Sequence, residues 1–147
     1  MQRLHFPVEI PFAELLGLEL WGLDEDQAEL RLELQPAHLN SRSVAHGGVV
    51  MTLLDVAMAH AARGSQTYEP GQRPSMVTIE MKTSFMRPAQ GRLKAVGRLL
   101  HRTATMAFTE ASVFDEHSRI CAHSTGTFKY LRPAPTPLHN VPNKEST

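Results

Sequence analysis

Apolar residues recur with two different periods along this chain, and the periods predict different elements. Residues 28–35 alternate, with alanine or leucine at every even position, which predicts a half-buried strand. Residues 77–86 alternate as well and predict a strand with one face formed by Val77, Ile79, Met81, Thr83 and Phe85. Between them, residues 49–63 contain no helix breaker and are apolar on nearly every side. This run predicts a helix surrounded by protein.

The complete predicted order is a short helix, two strands, a long helix and four strands. The predicted bounds are 12–18 and 49–63 for the helices and 18–23, 28–35, 77–86, 92–100, 105–114 and 119–130 for the strands. One helix of about four turns cannot cover both faces of six strands. We therefore expect an α+β fold in which an antiparallel sheet wraps around the helix. A second copy of the chain would close the remaining apolar surface.

The length of 147 residues suits one domain, which we place at residues 1–131. The last segment, 132–147, is rich in proline and small polar residues and predicts a flexible tail.

Composition excludes several classes of protein and site. The chain has 15 Lys and Arg against 15 Asp and Glu, and this zero net charge argues against a nucleic-acid partner. Its single cysteine, Cys121, excludes a disulfide framework and a cysteine-built zinc site. We also find no histidine pair at metal-ligand spacing and predict no metal. No apolar run is long enough to cross a membrane, and the start lacks the layout of a signal peptide. We therefore expect a cytoplasmic protein without a membrane partner.

The charges are placed unevenly along the chain. Acidic residues dominate from 9 to 33, whereas residues 82–102 contain only basic ones. The basic stretch is typical of solvated strand edges, which is the interpretation that composition favours. It would also suit a rim that binds a phosphate-bearing ligand.

A carboxylate inside the long predicted helix is the first candidate for chemistry. Asp55 lies about two turns in and is flanked by apolar residues. A buried carboxylate must be paired or hydrogen-bonded, or it takes up a proton. Alternatively, Thr52, Asp55, Ala59 and Arg63 form a narrow solvated stripe at helical spacing. Periodicity alone leaves both interpretations open.

Two glycines, Gly47 and Gly48, precede this helix. They could simply permit a tight entry, with His46 as a capping residue. They could also expose backbone N–H groups to a ligand oxygen at the positive end of the helix dipole, as in an oxyanion hole.

The longer string is more specific. Asn40, then His46-Gly47-Gly48 six residues later, then Asp55 nine residues after the histidine, resembles the hotdog-fold acyl-CoA thioesterases of the phenylacetate-degradation (PaaI-like) type. The resemblance continues in residues 78–91, 101–108 and 122–128 and covers about residues 12–130. It implies a hotdog fold and a homodimer or homotetramer. It also implies hydrolysis of an acyl- or aryl-CoA to free CoA and a carboxylic acid, without a cofactor.

The resemblance also implies roles for individual residues. The Gly47 N–H would bind the thioester carbonyl, and Asn40 would contact that oxygen or the attacking water. Asp55 would act as general base or as nucleophile, and Thr78 would help to hold the water. His46 would brace the loop beside Gly48 at the substrate-binding edge.

The CoA portion of the substrate would lie near basic residues. The candidates for contact with it are Arg87, His101 and Arg102. Relatives often have glycine where this chain has Arg102, so that a phosphate contact by this arginine would be its own feature.

Spacing gives a further expectation. Gly47 and Asp55 are eight residues apart on one helix, so their backbones lie about 12 Å apart. An oxyanion donor and a base must each come within about 3 Å of the reacting group. If both act on one thioester, they come from different chains, and the active unit is at least a dimer.

Two rival functions use the same fold. The string His5-Phe6-Pro7 resembles an element of acyl-carrier-protein dehydratases, but it lies about forty residues ahead of the long helix rather than directly before it. A non-catalytic acyl-CoA-binding or sensing protein would need the pocket but not the acid. The presence of Asn40, Gly47 and Asp55 favours the thioesterase. The sequence leaves open the acyl group and the choice between dimer and tetramer.

Overall fold

The computed structural model describes residues 2–133. Within this range the elements follow in the order α1 (Pro11–Leu16), β1 (Glu19–Leu23), β2 (Gln27–Glu33), a 3-10 turn (Pro36–His38), α2 (Gly47–Arg63), β3 (Ser75–Phe85), β4 (Arg92–Arg102), β5 (Met106–Phe114) and β6 (Ile120–Leu131). The predicted flexible tail lies outside the described residues from position 134 onward. No helix in the described range is long and apolar enough to cross a membrane.

The six strands form one antiparallel sheet in the order β1-β2-β4-β5-β6-β3. The sheet curves around α2, which confirms the predicted hotdog architecture. Helix and sheet approach closely at Gly97 in β4, where a Cβ atom would lie 2.3 Å from the Ala57 carbonyl oxygen. A side chain at this position would push the helix away from the sheet, so the glycine fixes the depth of α2.

One side of α2 is less buried than the rest. Leu53, Leu54 and Met58 are fully buried against the sheet. By contrast, Thr52, Asp55, Ala59 and Arg63 are only partly buried. The stripe at helical spacing is therefore present and includes Asp55, but it is partly buried rather than solvated. The helix begins at Gly47, two residues earlier than predicted, so both glycines belong to its first turn.

The prediction that Val77 and Ile79 share one face of β3 with Met81, Thr83 and Phe85 is wrong. A β-bulge at Ile79 interrupts the pairing with β6, since Thr78 pairs with Phe128 and Glu80 with Thr127. The inward positions are therefore Met76 and Thr78 before the bulge and Met81, Thr83 and Phe85 after it. Val77 and Ile79 are 41% and 51% exposed, respectively. An extra residue in one strand exchanges its two faces, which simple alternation cannot anticipate.

Candidate active site

The first turn of α2 presents one unused backbone donor. His46 caps the helix, and its Nδ1 accepts a hydrogen bond of 2.8 Å from the Gly48 N–H. The N–H groups of Val49 and Val50 donate to the His46 carbonyl oxygen. Among the described residues, the Gly47 N–H has no acceptor. This free donor lies at the positive end of the helix dipole.

Asn40 supplies a second donor to the same region. Its side-chain oxygen accepts from the N–H groups of Arg42 at 2.9 Å and Val44 at 3.4 Å, which fixes the amide in the loop before α2. The amide nitrogen has no acceptor within residues 2–133. Asn40 and Gly47 line one cavity of about 400 Å³ together with Phe85. The cavity therefore holds two donors that could bind one carbonyl oxygen.

Asp55 lies in a different environment. The Thr78 hydroxyl donates a hydrogen bond of 2.7 Å to Asp55 Oδ1, a contact that the bulge in β3 makes possible by turning Thr78 toward the helix. Burial raises the pKa of the Asp55 carboxyl, and the hydrogen bond from Thr78 opposes the rise. A partly buried carboxylate with a raised pKa is a better proton acceptor than an exposed one.

The donors and the carboxylate do not meet within one chain. Asp55 and Thr78 line a second cavity of about 410 Å³, which is also bordered by Val8, Ala59 and Met76. This second cavity shares no lining residue with the cavity at Gly47. The candidate donors and the candidate base therefore lie in two separate cavities, which we call the Gly47 and Asp55 half-sites.

The three basic residues predicted to contact CoA lie in three different places. Arg87 lines the Gly47 cavity, where its guanidinium donates to the Ile120 carbonyl oxygen at 2.8 Å. Arg102 closes the end of α2 by donating to the Ala62 carbonyl oxygen at 2.7 Å and to the Tyr130 hydroxyl at 2.9 Å. His101 stacks on Phe108 with ring centroids 6.2 Å apart. It borders neither half-site.

A larger cavity, of about 800 Å³, lies at the end of α2. Its lining includes the cations Arg63, Arg102, Lys129 and Arg132 and no acidic residue. Sequence reasoning identified only Arg102 among these, because the others come from segments far apart in the chain. The cavity shares Arg63, Pro74 and Met76 with the cavity at Asp55, so the two adjoin.

His60 is another residue whose setting the sequence did not reveal. It is 1% exposed, and its Nδ1–H donates to the Val56 carbonyl oxygen at 2.8 Å. Its Nε2 is buried without a partner in the described part of the chain, as is Nε of Arg63. Burial lowers the pKa of His60 to about 4. The one feature of the sequence that could have indicated this burial was the position of His60 within an apolar helix, five residues after Asp55.

Within residues 2–133, no three His, Cys, Asp or Glu side chains lie close enough together to hold a metal ion.

This chain resembles known proteins in both sequence and structure. The sequence pattern of the thioesterase superfamily matches residues 42–122. The medium/long-chain acyl-CoA thioesterase YigI of Escherichia coli K12 is 30% identical over 135 residues, covering 84% of this chain and 87% of YigI. The conserved protein PA5202 from Pseudomonas aeruginosa has a TM-score of 0.76 and 31% identity over 84% of this chain and 95% of its own. A mutant of the phenylacetic acid degradation protein PaaI from Thermus thermophilus has a TM-score of 0.72 and 27% identity over 83% and 100%.

Proposed function

Because this chain belongs to the thioesterase superfamily and is a thioester hydrolase, we propose that its substrate is an acyl-CoA, which it cleaves to free CoA and a carboxylic acid. The observation that carries the proposal is the pair of half-sites. One holds the unpaired donors of Gly47 and Asn40, and the other holds a partly buried Asp55 with a raised pKa. The reaction needs no cofactor beyond the CoA of the substrate.

The Gly47 half-site binds the thioester carbonyl. Its oxygen accepts hydrogen bonds from the Gly47 N–H and the Asn40 amide. These donors strengthen their interaction as negative charge develops on the oxygen, and the dipole of α2 adds to the effect. Removing one such donor typically costs about 10²–10³ in kcat.

The Asp55 half-site activates water. The Thr78 hydroxyl already donates to Asp55, so its oxygen lone pair is left to accept a hydrogen from water. The carboxylate takes a proton as the water oxygen bonds to the carbonyl carbon. When the C–S bond breaks, the departing thiolate receives that proton. Direct attack by Asp55, through a mixed anhydride, is the alternative route, and the water-holding position of Thr78 favours the general base.

A homodimer would bring the two half-sites together. β3 is an edge strand of 11 residues, with Thr78 near one end and Phe85 at the other. The Phe85 ring lies 3.6 Å from where a Gly47 Cβ would stand. A twofold axis close to Lys82 of β3 would pair the free edges of two copies in antiparallel fashion, with Thr78 opposite Phe85. Thr78 of one protomer then lies beside the Phe85 end of the other, so that Asp55 faces the partner's Gly47.

The basic cavity at the end of α2 suits the phosphates of CoA. It adjoins the Asp55 cavity through Arg63 and Met76, and it contains four cations without an acid to neutralise them. Guanidinium groups pair well with phosphate oxygens. In this proposal Arg102 both closes the helix and contributes to the phosphate site. Lys129 and Arg132 complete it.

Release of free thiol from a panel of aliphatic and aromatic acyl-CoAs tests the proposed function. We expect Asp55→Asn to lower kcat by about 10² or more on every substrate that the native protein hydrolyses. Asp24→Asn, an exposed acid in the turn after β1, is the matched control and should leave kcat unchanged. Tight acyl-CoA binding without hydrolysis by the native protein would contradict the proposal and favour a binding or sensing role.

A further inference from the structure

Two polar side-chain atoms near the end of α2 are buried without a hydrogen-bond partner. They are Nε2 of His60 and Nε of Arg63, and residues 2–133 contain no other buried side-chain nitrogen or oxygen in this state. Buried polar atoms in proteins are nearly always paired. Two unpaired ones, three residues apart on the same helix, therefore indicate a partner that the chain itself does not supply.

The two atoms have complementary chemistry. Nδ1 of His60 carries the ring proton, because it donates at 2.8 Å to the Val56 carbonyl oxygen. Burial lowers the pKa of His60 to about 4, so the ring is neutral at pH 7 and Nε2 holds a lone pair. Nε2 is therefore an acceptor, whereas Nε of Arg63 can only donate. A ligand group with one donor and one acceptor would satisfy both.

Both residues lie between the two proposed binding sites of the substrate. His60 and Arg63 line the cavity at Asp55, and Arg63 also lines the basic cavity at the end of α2. In the proposed function, the thioester lies at Asp55 and the phosphates of CoA lie in the basic cavity. The pantetheine arm that joins them therefore runs past His60 and Arg63. This arm contains two secondary amides, and each of them has one N–H donor and one carbonyl acceptor.

The order of the two protein atoms matches the order of groups along the arm. From the sulfur outward, each amide presents its N–H before its carbonyl. From Asp55 outward, the acceptor of His60 comes before the donor of Arg63, at about 7.5 Å and about 12 Å along the helix axis. In an extended arm, the N–H of the second amide lies roughly 8 Å from the sulfur. The second amide therefore fits between the two residues.

We infer that His60 and Arg63 bind the pantetheine arm at its second amide, the one farther from the sulfur. Nε2 of His60 accepts the amide N–H, and Nε of Arg63 donates to the amide carbonyl oxygen. Both atoms are closed off from water in the free chain, so binding includes a shift of the side chains that cover them. The inference rests on the proposed function and adds to it that the enzyme recognises the amide arm as well as the phosphates.

Three octanoyl thioesters separate the arm from the rest of the substrate. Octanoyl-CoA has both amides and the phosphates, octanoyl-pantetheine has both amides alone, and octanoyl-N-acetylcysteamine has only the amide nearer the sulfur. His60→Phe keeps an aromatic ring but removes the acceptor. It should raise KM for octanoyl-pantetheine by about fivefold, with kcat near native, and leave kcat/KM for octanoyl-N-acetylcysteamine unchanged. An equal change on both substrates, or no change on either, would overturn the inference.

Thermal unfolding distinguishes a binding role of His60 from a structural one. His60→Phe removes an unpaired acceptor from the interior, so the unfolding midpoint should be no lower than that of the native protein. A lower midpoint together with an equal loss on all three thioesters would show that the histidine only supports the fold. His117→Phe, at an exposed position between β5 and β6, is the matched control and should leave every KM unchanged.

A second variant tests the donor. Arg63→Lys keeps the positive charge beside the basic cavity but removes the Nε–H group. KM for octanoyl-pantetheine should rise by about threefold, whereas kcat/KM for octanoyl-N-acetylcysteamine should stay the same. Arg98→Lys, at an exposed position of β4, is the control and should change neither. An unchanged KM for octanoyl-pantetheine in Arg63→Lys would refute the part assigned to Arg63.

The affinity of Asp55→Asn for octanoyl-pantetheine separates this inference from the proposed function, because it needs no turnover. Adding His60→Phe to that variant should raise Kd by about fivefold. A raised Kd in a protein whose native form hydrolyses no acyl-CoA would keep the arm site and reject the proposed reaction. An unchanged Kd in a protein whose native form hydrolyses acyl-CoA would reject the arm site and keep the reaction.

Discussion

Two opposing effects act on the pKa of the Asp55 carboxyl, and both follow from the position of this residue in the fold. Its place on the partly buried side of α2 removes water from the carboxylate and raises its pKa. The Thr78 hydroxyl donates to the same group and stabilises its charged form. A general base must be deprotonated to act, so activity should fall as the pH drops through this raised pKa.

Thr78→Val tests this balance, because it removes the hydroxyl while keeping the shape of the side chain. Loss of a hydrogen bond to the charged form raises the pKa of Asp55 further. The acid limb of the kcat/KM profile should therefore move to higher pH, and kcat should fall through loss of the water contact. Thr83→Val, another inward threonine of β3, should leave the limb in place. An acid limb that is unmoved in Thr78→Val would show that this hydrogen bond does not tune the base.

At the level of elements, the start of α2 combines a fixed cap with a free donor. His46 Nδ1 accepts a hydrogen bond from the Gly48 N–H. The Asn40 side-chain oxygen accepts a hydrogen bond from the backbone of its own loop, which fixes that loop. The Gly47 N–H is thus presented on a rigid support. Rigid presentation matters because a donor aimed in advance at the oxyanion needs no reorganisation during the reaction.

Gly47→Pro removes this donor with little other change. Proline is well tolerated in the first helical position, and a Cβ here would stand 3.6 Å from the Phe85 ring, an ordinary contact. We expect kcat to fall by about 10²–10³ while the thermal unfolding midpoint stays near that of the native protein. Activity close to native in the folded variant would rule out the Gly47 N–H as the oxyanion donor.

The elements that the sequence predicts well are those with one uninterrupted period. β2 and α2 are of this kind, and the string from Asn40 to Asp55 lies on one loop and one helix, so local spacing is enough to place it. The bulge at Ile79 was not predictable, because it depends on how β3 pairs with β6. The basic cavity was missed for a similar reason: Arg63 and Lys129 become neighbours only in the folded chain.

At the scale of the whole molecule, the proposed mechanism makes a single chain incomplete as a catalyst. Its two half-sites lie in separate cavities, and β3 offers a free edge with Thr78 and Phe85 toward opposite ends. In the proposed homodimer, a symmetric pairing of this edge would create two equivalent composite sites, each with Asp55 from one protomer and Gly47 from the other. The separation of about 12 Å along the helix, predicted from the sequence, requires two chains if Gly47 and Asp55 act on the same thioester.

Mixing two inactive variants tests the composite site most directly. Asp55→Asn and Gly47→Pro are each expected to be nearly inactive as homodimers. After unfolding and refolding together in equal amounts, half of the dimers carry one of each chain, and one of their two sites regains both Asp55 and Gly47. The account predicts recovery of about a quarter of native acyl-CoA hydrolysis. A mixture in which heterodimers form but hydrolysis stays at the level of the separate variants would contradict it.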